Sequence, residues 1–362
     1  MSITLQPQKP LTINRVSAWL ITIALAITLI VVGKSYLIPI FLALFIWYLV
    51  NAINGLLRRL PIVVRRTPQW VTLTFSFLFI GLALYVIGDM IAANINEFVS
   101  TSGNYADRID SQIEKFYRML RLEREPPTLA DLNIMGQIGN NFIILLNGVT
   151  AVAKNFFLIL VYVIFLLLEQ SIFPEKIKHL GLNTLQSDRL ETVLFQINTA
   201  MRQYLSVKTF TSIITAILSF IVFWALGLDY AFFWAFLIFL FNYIPTIGSI
   251  TATILPALLA LLQFEGISAF LIIIIGVSAI QVAVGNILEP RLMGDTLNIS
   301  PLVVVLTLIL WSILWGVVGM LLSVPITVAI IIICAQFPST KNVAILLSKD
   351  GKVGGMVRIE DD

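Results

Sequence analysis

Residues 231–263 read AFFWAFLIFLFNYIPTIGSITATILPALLALLQ, a stretch without a single charge. It is too long for one straight span, because a bilayer core takes about 20 residues of helix. Pro245-Thr246-Ile247-Gly248 interrupts it near its middle. It therefore reads as two short helices joined by a bend that returns to its side of entry. A second uncharged block, Pro301 to Ala335, has the same form and is broken at Gly316-Val317-Val318-Gly319. Between them Ile267 to Leu288 is long enough for one ordinary span. From Tyr230 to Leu288 the only charge is Glu265, and from Thr296 to Thr340 there is none.

Working toward the N-terminus, further apolar runs cover Thr209–Leu228, Asn155–Leu168, Trp70–Asn94, Tyr36–Ile53 and Ser17–Val32. The first run is not read as a cleaved signal, since no small-x-small site follows and the next span begins at once. Across the 362 residues, 59% are hydrophobic and 12% charged, with mean hydropathy +0.96. Soluble domains are about 45–50% apolar and about 25% charged. The composition thus excludes a soluble domain, a disordered chain and a disulfide scaffold, and the lone cysteine, Cys334, sits in an apolar run. The expected fold is all-α: a polytopic integral membrane protein with two broken-helix hairpins of opposite orientation and amphipathic extramembrane helices.

Charge placement sets the expected topology. No acid precedes Asp89, whereas Lys9, Arg15, Lys34, Arg58, Arg59, Arg65 and Arg66 all do. Short basic loops stay in the cytoplasm, so residues 1–94 form three spans with a cytoplasmic N-terminus. Residues 95–150 then lie outside, 151–169 cross back, and 170–208, with Lys176, Lys178, Arg189, Arg202 and Lys208, lie inside. Residues 209–335 form the C-terminal core with the two hairpins entering from opposite faces, and 336–362 form a cytoplasmic, solvated tail. Opposed pairs of Gly/Pro-broken segments mark inverted-repeat transporters, although plain packing hairpins would look alike in sequence.

Both polar segments carry helical stripes. In 95–150 these are Tyr105, Ile109, Ile113, Phe116 and Leu120, ended by Pro126-Pro127, with Thr128 and Asp131 at capping-box spacing after it. In 170–208 the stripe is Leu190, Leu194, Ile197, Met201, Tyr204 and Leu205, a helix suited to the membrane surface ahead of the next span.

One histidine, His179, and one cysteine exclude zinc sites and Ser-His or Cys-His triads. Gly33-Lys34-Ser35 looks like the end of a phosphate loop, but Thr28 stands where its glycine is needed. No ATPase, metal, cofactor or nucleic-acid site is legible, and the arginines are a topology signal. Transport would run on an ion gradient or down the solute's own.

Intramembrane polar residues are costly and default to function. One group is Asn242, Tyr243, Pro245, Thr246, Gly248, Ser249 and Thr251; the other is Gln281, Asn286, Glu289, Pro290, Arg291, Gly294 and Asp295. Backbone freed at a helix break can hold a cation or a polar solute. Glu289 would exchange a proton or cation, or else pair with Arg291 or Arg202.

The run Asn242-Tyr243-Ile244-Pro245-Thr246-Ile247-Gly248 with Pro256 resembles a motif of the autoinducer-2 exporter family. Asn286-Ile287-Leu288-Glu289-Pro290-Arg291-Leu292-Met293-Gly294, Ser300-Pro301-Leu302, Gly316, Gly319 and Pro325 continue the likeness. The resemblance implies a multi-pass bacterial inner-membrane transporter that forms a homo-oligomer, expected to be a pentamer. It also implies export of the quorum-sensing signal autoinducer-2 or sodium/proton antiport, between which the motifs do not choose. The leading expectation is a secondary transporter or exporter of a small polar solute, its site where the broken hairpins meet. A cation/proton antiporter using Glu289, a structural membrane protein and, last, an intramembrane enzyme are the alternatives.

Overall fold

The computed structural model describes residues 12–58, 67–82, 85–86, 155–179, 184–264, 266–294 and 297–352. Among these the chain is helical, with a lone antiparallel bridge between Ile299 and Ser348 in place of any sheet. The expected helices at 95–150 lie outside the described residues, as does the end of the third apolar run beyond Val86.

In chain order the elements are α1 (Thr12–Val32), α2 (Lys34–Leu57), α3 (Gln69–Leu82), α4 (Phe156–Glu169), α5 (Phe173–Lys178) and α6 (Thr184–Leu226). There follow α7 (Ala231–Phe241), α8 (Ile247–Gln263), α9 (Ser268–Gln281), a π-helical segment (Val282–Leu288), α10 (Glu289–Met293), α11 (Pro301–Gln336) and α12 (Lys341–Leu347). Four stretches are long and apolar enough to cross a membrane: Lys34–Gly55, Gln186–Leu226, Ser268–Met293 and Pro301–Gln336.

The expected surface helix and the fifth span are one element. With 43 residues, α6 is about 65 Å long, twice the roughly 30 Å of a bilayer core. Neither proline nor glycine lies between Asp188 and Leu226, so nothing interrupts the ladder once it starts.

In both long uncharged blocks the chain doubles back on itself. The Gln263 amide donates to the Gly227 carbonyl and its oxygen accepts from the Asp229 N–H, which ties the end of α8 to the start of α7. Between α7 and α8, Thr246 turns the chain at φ 59°. In α11 the reversal falls on Gly316 alone, at φ 63° and ψ −140°. Beyond it Val324, Val328 and Ile332 pack back beside Val304 and Ile299. Added methyl groups at Gly248 and Gly319 would land on the carbonyls of Phe241 and Trp311, so both bends need glycine there for space.

Pro256 and Pro325, expected as breaks, lie inside continuous helix. A membrane-embedded proline leaves one carbonyl without its donor, and neighbouring groups tolerate that without a break. Pro290 acts differently. It lacks the N–H that would bond the Asn286 carbonyl, and the helix before it widens into the π segment.

Three apolar clusters hold these elements together. Phe223, Trp234, Ile238, Leu259, Ile273 and Val277 join α6 to the first hairpin and α9. Val50, Ile159, Val163, Trp311, Trp315 and Leu322 join α2 and α4 to the bend of the second hairpin. The third cluster lies between them and brings Tyr204, Tyr243, Met293, Val324 and Val328 together. At this point the tip of the first hairpin meets the returning arm of the second.

The tail is not wholly solvated. Ala344 of α12 is fully buried beside Ile331. The following strand-like residues bond the linker ahead of α11, with the Ser300 N–H donating to Leu347 and the Lys349 N–H to Asn298.

Candidate functional site: a buried polar face on the long helix

Spacing along α6 puts Tyr204, Lys208, Thr211, Ser212, Thr215 and Ser219 on one side of the helix, since each follows the last by about one turn or less. All are buried: Thr211, Ser212 and Ser219 completely, Thr215 to 1%, Tyr204 to 3% and Lys208 to 7%. From Tyr204 to Ser219 this face runs about 22 Å along the axis, most of a bilayer core. The face is covered within the protein, where α6 packs against α7, α9 and α11.

Three of the residues singled out by sequence converge on it. The Asn242 amide donates to Ser212 Oγ at 3.0 Å. The Tyr243 hydroxyl shares a 2.7 Å hydrogen bond with Thr209 Oγ1, and its ring packs edge-on against Phe45 and Phe239. Glu289 receives the Lys208 ammonium, with Nζ 2.7 Å from Oε1 and 2.9 Å from Oε2. Thr211 Oγ1 approaches Glu289 Oε2 at 3.4 Å. The partner of Glu289 is therefore Lys208, not Arg291 or Arg202.

Gln281 shares the buried side of its helix with Ile273, Val277 and Val284. Gly276 faces Val222 and Glu289 faces Lys208, so the antiparallel register sets Gln281 between the levels of Thr215 and Ser219. Among the described residues Gln281 Nε2, Ser219 Oγ and the Tyr204 hydroxyl are buried without a hydrogen-bond partner. Buried polar atoms are normally paired, so such groups mark places that something else can satisfy.

The remaining sequence candidates lie elsewhere. Thr246 is exposed at the bend and accepts the Ser249 hydroxyl at its carbonyl, a local turn contact. Thr251 bonds its own helix at Ile247. Asn286 is exposed on the outer side of the π segment. Pro245 lies in the first bend, Gly294 ends α10 at φ 56°, and Pro301 opens α11. Asp295 lies outside the described residues.

The residues on α6 were missed as a site. Lys208 read as one more inside charge and Tyr204 as part of an apolar stripe. The signal was present as Lys208-x-x-Thr211-Ser212-x-x-Thr215-x-x-x-Ser219, polar positions at helical spacing inside an otherwise apolar run. Among the described residues no three His, Cys, Asp or Glu side chains come together as a metal site would need.

The model of the AI-2E family of transporters matches residues 19–339. The chain belongs to the AI-2E transporter family. Among relatives, a proposed transport protein of Haemophilus influenzae is 32% identical over 347 residues, covering 94% of this chain and 98% of its own. The AI-2 transport protein TqsA of Escherichia coli is 31% identical over 322 residues, covering 87% of this chain and 90% of its own. YhhT of Escherichia coli, another proposed transport protein, is 28% identical over 267 residues. This AI-2E member is accordingly a multi-pass membrane transporter, and its polar face on α6 sits within the matched region.

Proposed function

We propose that this chain exports a small polar solute across the bacterial inner membrane, driven by an ion gradient or by the solute's own, along the polar face of α6. The observation that carries the reading is the buried row from Tyr204 to Ser219, with orphan polar atoms at both ends and beside Gln281. A packing helix would place aliphatic residues there, since an unpaired polar group in hydrocarbon costs several kcal/mol. The hydroxyl and amide groups suit a hydroxylated solute, and autoinducer-2, named for the Escherichia coli relative, is the first to try. The chain works as a homo-oligomer, with both termini in the cytoplasm.

Proteoliposome flux tests this. Movement of labelled autoinducer-2 or a comparable polyol above protein-free vesicles, lost in Thr215→Leu, supports it. Sodium exchanging for protons with no solute movement overturns it and returns the antiporter. For topology, a cysteine at Lys349, which is exposed, should label only from the cytoplasmic side, and one at Ser111 only from outside.

A further inference from the structure

Lys208 is left unexplained by a path for a neutral solute. An ammonium inside a membrane protein is expensive and needs a reason. Here it is held by a single carboxylate, at near-equal distances from both oxygens, 2.7 and 2.9 Å. The side chains of the pair are only 9% and 16% exposed. Around the same carboxylate lie other oxygens of the kind that ligate alkali ions. Thr211 Oγ1 is 3.4 Å from Oε2. The Tyr204 hydroxyl, one turn before Lys208 on the same side of α6, is buried and has no hydrogen-bond partner among the described residues. An ammonium equidistant from two carboxylate oxygens occupies the position that a dehydrated monovalent cation takes.

We propose that Lys208 is a tethered cation: its ammonium permanently fills a monovalent-cation site made by Glu289, Thr211 and Tyr204. The path beside α6 is thereby neutral with no ion bound. Resting on the export reading, the transported solute is then uncharged or anionic, because a free cation meets a fixed ammonium where it would otherwise bind. Removing the tether opens a site that the native chain keeps closed.

The test is a binding measurement on the full-length protein in detergent, readable whether or not the chain moves any solute. Melting is followed in sodium, potassium or rubidium chloride against choline chloride at equal ionic strength. Lys208→Met should melt below the native protein in choline and regain several degrees, saturably, as an alkali cation is added, by mass action on the folded state. The native protein, Lys208→Arg, which keeps a tethered cation, and Lys208→Met/Glu289→Gln should show no saturable dependence. Equal melting of Lys208→Met in every salt overturns the proposal. So does failure to purify it in any of them, since a free ion then does not replace the ammonium. Saturable alkali stabilisation of the native protein that Glu289→Gln removes also overturns it. A solute flux that fails while the Lys208→Met melting behaves as stated rejects the export reading alone.

Discussion

The two broken hairpins use one device to opposite ends. In α7–α8 the bend spans several residues and is polar, and its tip presents Asn242 and Tyr243 to hydroxyls of α6. In α11 the bend is one residue, Gly316, flanked by tryptophans. Trp311 and Trp315 pack with their rings tilted and centroids 4.9 Å apart, Phe41 lies 5.3 Å from Trp315, and the Trp315 indole donates to the Ile30 carbonyl at 3.1 Å. Thr307, Ser323 and Thr327 of the second hairpin bond their own helix. A broken helix therefore does not by itself make a site. At the first bend an amide and a phenol meet hydroxyls of α6, whereas the second is packed among aromatic rings.

The largest expected effect separates the polar hairpin's surroundings from the sealed one. Glu289→Gln strands the Lys208 ammonium among buried groups, and losing one partner of a buried pair costs about 3–5 kcal/mol. A large fall in detergent Tm is expected, and near-native yield and Tm would show that the pair is not dehydrated. Lys208→Met/Glu289→Gln should regain most of the loss, because no charge is left unpaired.

Next come the two bend glycines, where the hairpins should behave alike. Gly248→Ala and Gly319→Ala each set a methyl on a backbone carbonyl, and overpacking of this kind costs about 1–3 kcal/mol or more. Both variants should lose folded yield, so that size-exclusion profiles fail before transport can be judged. If only one is affected, the shared geometry is not a shared requirement.

A smaller and more selective contrast comes from two threonines in equivalent local settings. Thr215 donates to the Thr211 carbonyl at 2.9 Å and Thr327 to the Ser323 carbonyl at 2.6 Å, both buried. Valine at either position loses one hydrogen bond of net worth about 1 kcal/mol. Stability should change little and equally. Transport should fall in Thr215→Val and persist in Thr327→Val; equal transport in the two would remove the distinction between the polar face that the first hairpin meets and the second hairpin.

The weakest effect lies where the tail clasps the entry to α11. Asp350 accepts from the Lys352 N–H and from the Asn298 amide, which hold its carboxyl below the ordinary range. A carboxyl depressed in the docked state stabilises docking fully above its free value of about 3.9 and loses that contribution as pH falls through the lower docked value. Proteolysis of the tail should therefore increase only in strongly acidic buffer, and Asp350→Asn should flatten that dependence.

Much of the architecture was legible from charge and breaks alone. Uncharged runs longer than a bilayer, split at Pro245–Gly248 and at Gly316, read as doubled-back pairs, and the chain reverses at both points. The sequence also singled out Asn242, Tyr243 and Glu289, and the structure gives each a polar partner on α6. The extent of α6 was misread because an amphipathic half and an apolar half look like two elements when only their faces are compared.

What the sequence determined by itself is therefore the class of fold and the positions of the bends, which follow from local propensity and from the cost of burying charge. The tertiary structure alone decided which polar residues meet. Lys208 and Glu289 are 81 positions apart, and Asn242 and Ser212 are 30 apart. No local pattern reports such separations. They follow from the antiparallel register of α6 against α9 and from the depth to which the first hairpin reaches, and both are set by packing of Phe223, Ile273 and Tyr243 in the core.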